Sequence, residues 1–559
     1  MDLSNEDAPV PADPPLLPSI APDLLALRRR SHHLAPLHPR QFRLSHNLDA
    51  IAAVLQELSS KLPLTKHWSN PSSNPIRHIA TRIPPRTHLL PSHSPSLDFG
   101  SKSPYPEPIP LQPLHIQPVS TSTSTTRLIH VSLIARHGTR NPTSSCLQRM
   151  TALQNWLLSA FSPTPQWLHD WSAQLNIYRA SPGSLTSHGQ QELHAIGSRF
   201  ARLYARSLHD VGNTVRLRSS YKDRAIASAR AFLDGYRHTC STNGFPQPNT
   251  LVVAENSPPP SSNASESSSV AESDPSDLSS SDLEADAQLP TNDSNSDLST
   301  DDDTLLEILP SGSDAVLRYF ERNQEYAQFA VQHKALTERH LSRGPLRPIA
   351  TEIAARVSKG LGASHQMDPD LIRSVAEAGA FENAHGRFER SKFCRVLTPN
   401  DTAILELFEK YHRPFYQQHE RFRAVAAPLV ADLAQSLRAS AARAGDPDVH
   451  AADLRFAHAE TLVPLLFLLG IESNGLSRKS PNYRTGLSAM SPFAANLSFE
   501  LYEQQTASNT THFVRLRLHE RYVECIPALG EHGASGIVPL QHLLDYFDEI
   551  FEEGMHFYQ

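Results

Sequence analysis

Five consecutive residues, Arg136-His137-Gly138-Thr139-Arg140, place two arginines and a histidine directly after the apolar run 131–135. A guanidinium is planar, permanently charged and suited to bidentate contact with phosphate oxygens. The imidazole between them offers a nucleophilic nitrogen. A histidine set between phosphate-binding arginines is what phosphoryl transfer through a phosphohistidine needs. Gly138 is expected to let the backbone turn sharply here, and Pro142 to limit the adjoining residues to a defined turn.

Such a group needs a strand to deliver it and helices to hold it. RLIHVSLIA at 127–135 reads as a buried strand rich in β-branched residues. In open α/β sheets, ligands bind at the carboxyl ends of strands, where residues 136–140 fall. Helical spacing is expected over 147–160 and over 185–206, the latter with Thr186 as N-cap. Alternation predicts a strand over 213–220, after which 221–237 resumes helical spacing. Residues 304–445 are almost wholly helical in pattern. Strand and helix return over 454–471, two late strands, expected as antiparallel neighbours, over 495–503 and 512–527, and a closing helix over 540–552. Strand–helix units interrupted by a helical block predict an α/β core with an inserted α domain.

A length of 559 residues suits a core with a sizeable insertion. The formal net charge is −7, but residues 255–303 hold 13 acidic residues and no Lys or Arg. The remainder has 51 basic against 45 acidic residues, so the folded body is mildly basic, which is compatible with an anionic substrate. The acidic Ser-rich segment buries too little apolar surface to offset ordering entropy. It is expected to be disordered, as is most of the Pro- and Ser-rich start, where 48–62 reads as a short helix. The expected division is an N-terminal extension (1–95), a first α/β core segment (96–253), a disordered acidic insertion (254–303), an α-helical cap (304–445) and a second α/β core segment (446–559). Four cysteines without a CxxC pair allow two disulfides in any of three connectivities, or four free thiols. No apolar run reaches the roughly 18 residues that span a bilayer. The first residues show neither a basic start nor an apolar stretch of the secretory kind.

RHGTRNP at 136–142 resembles the RHGxRxP signature of the histidine acid phosphatases. Arg224, followed by Ser228-Ala229 and Phe232, looks like that family's third arginine with its Ser-Ala and phenylalanine. His458-Ala459-Glu460, after a strand and before an apolar helix, is similar to the variant acid motif typical of the multiple inositol polyphosphate phosphatase branch; most other branches carry His-Asp. FGSKSPY (99–105), LTPNDTAILELFEKYHRPFY (397–416) and SPFAANLSFELYE (491–503) resemble further segments of that branch. Two positions depart from the pattern: Asn141, where aromatic or histidine residues are common, and serine in place of threonine in FGSKSPY. The resemblance spans residues 97–550 and leaves the extension and the acidic insertion unaccounted for.

The resemblance implies a phosphoglycerate-mutase-like α/β core with a mainly parallel sheet and an inserted α-helical domain. It implies that Arg136, Arg140, Arg224 and His458 bind the scissile phosphate, that His137 is the nucleophile and that Glu460 is the proton donor. No cofactor or metal is expected. Because Glu460 must be protonated for the first half-reaction, an acidic to near-neutral optimum follows. The implied substrate is a polyphosphorylated small molecule, inositol hexakisphosphate and its lower homologues. Lys359, Arg387, Arg390, Lys392 and Arg395 are candidates to line its pocket, although each also reads as an ordinary surface charge. Neither nucleic acid nor an integral membrane segment is expected, and the oligomeric state is open. Two other readings stand beside this one: a broad histidine acid phosphatase acting on simple monoesters, and a catalytically idle scaffold using its acidic segment as a tail. The family commonly enters the secretory pathway, and five N-x-S/T sequons occur, at Asn263, Asn292, Asn400, Asn496 and Asn509. With no recognisable signal peptide, the compartment stays open between that pathway and the cytosol.

Overall fold

The computed structural model describes residues 97, 99–106, 125–212, 214–250, 306–344, 347–412, 424–444, 446, 449–476 and 483–555. All of them belong to one compact unit, residues 88–559. The expected helix over 48–62 and the acidic segment 255–303 lie outside the described residues.

A nine-stranded mixed sheet runs through the centre. Its strands are β1 (Thr125–Arg136), β2 (Thr214–Ser220), β3 (Asn249–Thr250), β4 (Leu306–Leu309), β5 (Ala452–Ala457), β6 (Asn496–Gln505), β7 (Thr510–Leu518), β8 (Arg521–Tyr522) and β9 (Ile537–Pro539). The order is β3-β2-β5-β1-β6-β7-β8, with β4 also on β2 and β9 on β7. β1 through β5 form the parallel half. From β6 onward the pairing is antiparallel, as expected of the late strands.

β1 is central because both its faces are covered. Residues 128–136 are all buried, which is why the strand reads as an unbroken apolar run instead of an alternating one. β5 is buried along its whole length for the same reason. The register sets Arg136 opposite Ala457 and, one strand further, Ser219 opposite Phe456. The carboxyl ends of β1, β5 and β2 are therefore adjacent, which gives one sheet edge three consecutive loops.

Fourteen helices surround the sheet among the described residues: α1 (Ser144–Ala160), α2 (Gln166–Ala180), α3 (Ser187–His209), α4 (Asp223–Asn243), α5 (Tyr319–Arg322), α6 (Gln324–Arg343), α7 (Arg347–Leu361), α8 (Ile372–Ala384), α9 (Lys392–Val396), α10 (Pro399–His412), α11 (Ala427–Ala442), α12 (Ala459–Leu468), α13 (Leu487–Met490) and α14 (Leu540–Met555). α3 and α4 pack on each other and on the parallel strands, while α11 and α14 pack together against β1, β6 and β7. α5 through α11 all fall between β4 and β5 in chain order. α1 and α2 join that block: Arg149 pairs with Glu377 at 2.7 Å, and Trp171 meets Phe393 edge-on. All four cysteines are free thiols, with only Cys525 exposed. No described helix is long and apolar enough to cross a membrane. Asn496 is buried, its amide donating to Tyr105 Oη and Ala494 O, so that sequon is closed in the folded chain.

Candidate active site

The three adjacent strand ends bring the expected residues to one place. Arg136 ends β1 and His137 follows it. Arg224 lies in the first turn of α4, just after β2. His458 caps α12 directly after β5, with Glu460 in that helix's first turn. Arg136, His137, Arg140, Arg224 and His458 are all buried, whereas Glu460 is half-buried. The rings of His137 and His458 meet edge-on with centroids 5.5 Å apart.

His137 Nδ1 lies 2.9 Å from Gly138 O. A carbonyl oxygen only accepts, so the proton sits on Nδ1 and the lone pair is on Nε2. Burial, then the positive charges of Arg224, Arg136 and Arg140, hold this imidazole well below the usual histidine range. His137 is thus a neutral imidazole with one nitrogen ready to attack an electrophile.

Arg136 is aimed by backbone. Its Nη1 donates to Ser101 O and, at 2.6 Å, to Ser491 O, and its guanidinium stands over the Phe493 ring at 4.7 Å. Residues 491–495 also fasten the main chain beside it: Arg136 N donates to Ala495 O and Ala494 N to His137 O. Ala494 holds φ +57°, a conformation that costs a non-glycine residue roughly 1–3 kcal/mol. FGSKSPY supplies Ser101 and is gripped by α10, where Glu409 accepts from Ser101 Oγ and pairs with Lys102 at 2.9 Å.

The need for glycine at 138 is spatial. Its φ is not positive, so the left-handed freedom of glycine is not what the position uses. Instead a Cβ there would fall 2.8 Å from Gly189 Cα and closer still to Gly189 O. Gly189 is equally constrained, since a Cβ on it would meet Thr139 N at 2.7 Å. The amino end of α3 thus presses on the His137 loop. Thr186 caps that helix through Gly189 N at 3.0 Å and also donates to Thr139 O at 2.8 Å. Gly138 N donates to Ser228 Oγ at 3.2 Å, which ties α4 to the same loop. Beyond it, Pro142 O accepts from Gly183 N, and Asn141 Nδ2 donates to Ser181.

His458 Nε2 is 2.8 Å from Ser220 Oγ at the end of β2. Burial, then the positive charges of Arg318, Arg224 and Lys222, hold it well below the usual range. Sequence reasoning passed over Arg318 and Lys222. Arg318 sits in DAVLRYFERN, where it reads as a surface position of a helix, yet it is 4% exposed. The five suggested pocket residues, Lys359, Arg387, Arg390, Lys392 and Arg395, are all exposed in the helical block. Ser101 and Ser491 lie in segments that the resemblance singled out, but their roles carried no signal, because they act through backbone carbonyls that every residue has; Ser220 carried none at all.

A family model described as the histidine phosphatase superfamily (branch 2) matches residues 127–519. Multiple inositol polyphosphate phosphatase 1 of Gallus gallus is 23% identical over 482 residues, covering 82% of this chain and 91% of that protein. Phytase A of Neurospora crassa is 27% identical over 146 residues, 24% of this chain and 25% of its own length. Among solved structures, the Bifidobacterium longum multiple inositol polyphosphate phosphatase in complex with inositol hexasulfate has a TM-score of 0.52 at 16% identity, covering 80% of this chain and 96% of that one. The same fold, then, carries the matched span from the strand before His137 to the late antiparallel strands, and the chain belongs to branch 2 of the histidine phosphatase superfamily.

Proposed function

We propose that this chain hydrolyses phosphomonoesters of inositol polyphosphates, inositol hexakisphosphate and its lower homologues, through a phosphohistidine at His137. The observation that carries the reading is the state of His137. It is a neutral imidazole with its proton fixed on Nδ1, and the charges of Arg224, Arg136 and Arg140 bear on it. The likeness to proteins named as multiple inositol polyphosphate phosphatases, and the His-Ala-Glu motif, favour a polyphosphate substrate over a simple monoester.

In this mechanism Arg136, Arg140, Arg224 and His458 hold the scissile phosphate and offset charge on its equatorial oxygens. His137 Nε2 attacks phosphorus in line as the bond to the inositol oxygen breaks. Glu460 gives its proton to that oxygen, so the departing group leaves as an alcohol. Water then attacks the phosphohistidine, its proton passes to Glu460, and inorganic phosphate departs. The helices α6 to α10 serve as the cap over this edge, while α11 lies on the sheet.

The test is phosphate release from inositol hexakisphosphate between pH 4 and 7.5, with His137→Ala alongside. Release that disappears in the variant supports the mechanism. A folded wild-type protein that releases nothing sinks it.

A further inference from the structure

Helix α10 carries Glu406 and Glu409 three residues apart, so both stand on one face of it. Each carboxylate reaches out to hold a segment that is distant in the chain. Glu409 accepts from Ser101 Oγ at 2.6 Å and from Ser101 N at 3.2 Å, besides pairing with Lys102. Glu406 accepts from Ser488 N at 2.8 Å and from Ser488 Oγ at 3.3 Å. Each hold is made beside a glycine in the left-handed region, Gly100 at φ +57° and Gly486 at φ +94°. A Cβ on Gly486 would fall 2.6 Å from Glu406 Oε1, and one on Gly100 closer still to Glu409 Oε2. Both backbones are thus shaped to admit a carboxylate.

The two segments held in this way are the two that aim Arg136. Ser101 O and Ser491 O both accept from its Nη1. Ser101 is itself the residue that Glu409 holds. Ser491 directly follows α13, the short helix that contains Ser488. Its N donates to Leu487 O at 2.8 Å, and Met490 N donates to Gly486 O at 3.0 Å, so this one turn passes the hold on Ser488 to Ser491. Phe493 N donates to Ser103 O at 2.9 Å, which ties the two segments to each other beside the guanidinium. α13 has a second hold, because His519 Nε2 lies 3.0 Å from Ala489 O.

A long arginine side chain has many rotamers to lose when it is fixed. Two carbonyls on one nitrogen fix it, provided that their own segments stay in place. Ser101 and Ser491 lie outside the sheet, and α10 supplies the anchorage that such connecting segments lack. The arrangement also separates direction from charge. A carboxylate paired straight to Arg136 would offset the charge that a phosphate needs. Set behind neutral carbonyls, Glu406 and Glu409 govern where the guanidinium points and leave its formal charge for the anion. We infer that Glu406 and Glu409 are positioning residues, which fix from the cap, through the carbonyls of Ser101 and Ser491, the direction in which Arg136 meets the transferred phosphoryl group. This assignment rests on the proposed phosphatase reading and makes the seating of α10 a condition for turnover.

The experiment is a double-mutant cycle on inositol hexakisphosphate. kcat and KM are measured for wild type, Glu409→Ala, Glu406→Ala, Arg136→Ala and each glutamate change combined with Arg136→Ala, with urea denaturation to confirm folding. Glu409→Ala should lower kcat about 10–100-fold, the reach of a misplacement of about 1 Å, and change KM less. Glu406→Ala should follow the same pattern at smaller size, since His519 also holds α13. In the Arg136→Ala background either change should cost less than about twofold, because the side chain they aim is gone. Glu409→Gln keeps one acceptor oxygen and should recover part of the loss; the same cycle run on it replaces an alanine variant that does not fold. Asp401→Asn, on the same helix, weakens a pair with Arg356 inside the cap and should leave kcat unchanged. Losses that multiply with that of Arg136→Ala, a Glu409→Ala protein with wild-type kcat, or an Asp401→Asn loss as large as that of Glu409→Ala would each overturn the positioning role. A wild-type protein inactive on hexakisphosphate sinks the phosphatase reading alone, and the cycle is then read in the affinity for inorganic phosphate by calorimetry. There, losses that fail to multiply support the role, while losses that multiply, or a wild type that binds no phosphate, overturn it.

Discussion

The nucleophile proposed at His137 can act only while the ring is uncharged, and its neighbours enforce that state. The arginines that would hold phosphate also repel a proton from the ring, in concert with burial. Protonation that stops the reaction is therefore expected far below pH 6.5, and the acid limb of kcat/KM should show it there. Arg140→Gln removes one of the repelling charges, so it should lower kcat/KM and move that limb toward higher pH. An unmoved limb would mean that His137 does not set it. Glu460 makes a separate prediction. Glu460→Gln should cost alkyl phosphates roughly 10²–10⁴-fold in kcat, the usual reach of general acid catalysis. p-Nitrophenyl phosphate, whose leaving group needs no proton, should lose far less; equal losses would remove Glu460 from the role of acid. At this scale the sequence was informative where unlike functional groups crowd together, as in Arg136–Arg140 or His458–Glu460. It was silent on groups recruited singly from distant segments. Ser220 and Arg318 come to the site only because strand ends and loops from distant segments converge.

Elements hold the His137 loop through close packing, and this is testable away from the chemistry. Gly189 is in α3, far along the chain from His137, yet a methyl group there would strike the backbone of Thr139. Backbone does not swing aside as a flexible side chain does, so Gly189→Ala should cost about 1–3 kcal/mol of stability and reduce kcat as well. Thr186→Ala, which removes the cap of the same helix, should cost about 1 kcal/mol. Urea denaturation measures both, and a Gly189→Ala protein with wild-type stability and kcat would contradict the packing argument. Periodicity located the long elements well: β1, β2 and β5, and α3 with its Thr186 cap, fall where apolar spacing predicts. It did not locate β3, β4 or β9, which are two to four residues long. Strands that short have too few alternations to register, and they exist because a longer neighbour offers them a ladder. Gly138 shows a related limit. The residue was legible but its reason was not, since a close approach between two segments leaves no mark on local sequence.

The whole molecule responds to acid through groups that the fold keeps neutral or charged against their ordinary tendency. Burial pushes His130, His385 and His519 down to about 4, and His137, His450 and His458 are also lowered. Below pH 6.5 the unfolded chain takes up protons at these histidines that the folded chain refuses. The unfolded state is favoured accordingly, so stability present above pH 6.5 is lost as pH falls toward 4. Three buried carboxylates, Glu192, Asp314 and Glu382, are raised and act in the opposite sense, gaining protons in the folded state first. Six histidines against three carboxylates leave a net loss, on the order of several kcal/mol between pH 7 and pH 5 for the unliganded protein. A second decline should begin below pH 4. There Asp453, beside Arg455 and Arg218, and Glu377, beside Arg149 and Arg373, are held ionised well below the usual carboxylate range and must finally be protonated. Chemical denaturation at a series of pH values should resolve both windows, and His519→Asn should flatten the upper one. A stability that stays level from pH 7 to pH 5 would refute this account of the buried histidines. The consequence for catalysis is a conflict between scales. A protonated Glu460 favours acid, while the histidine-rich interior favours neutrality, so the rate optimum should lie at the near-neutral end of the range that the acid motif alone would permit.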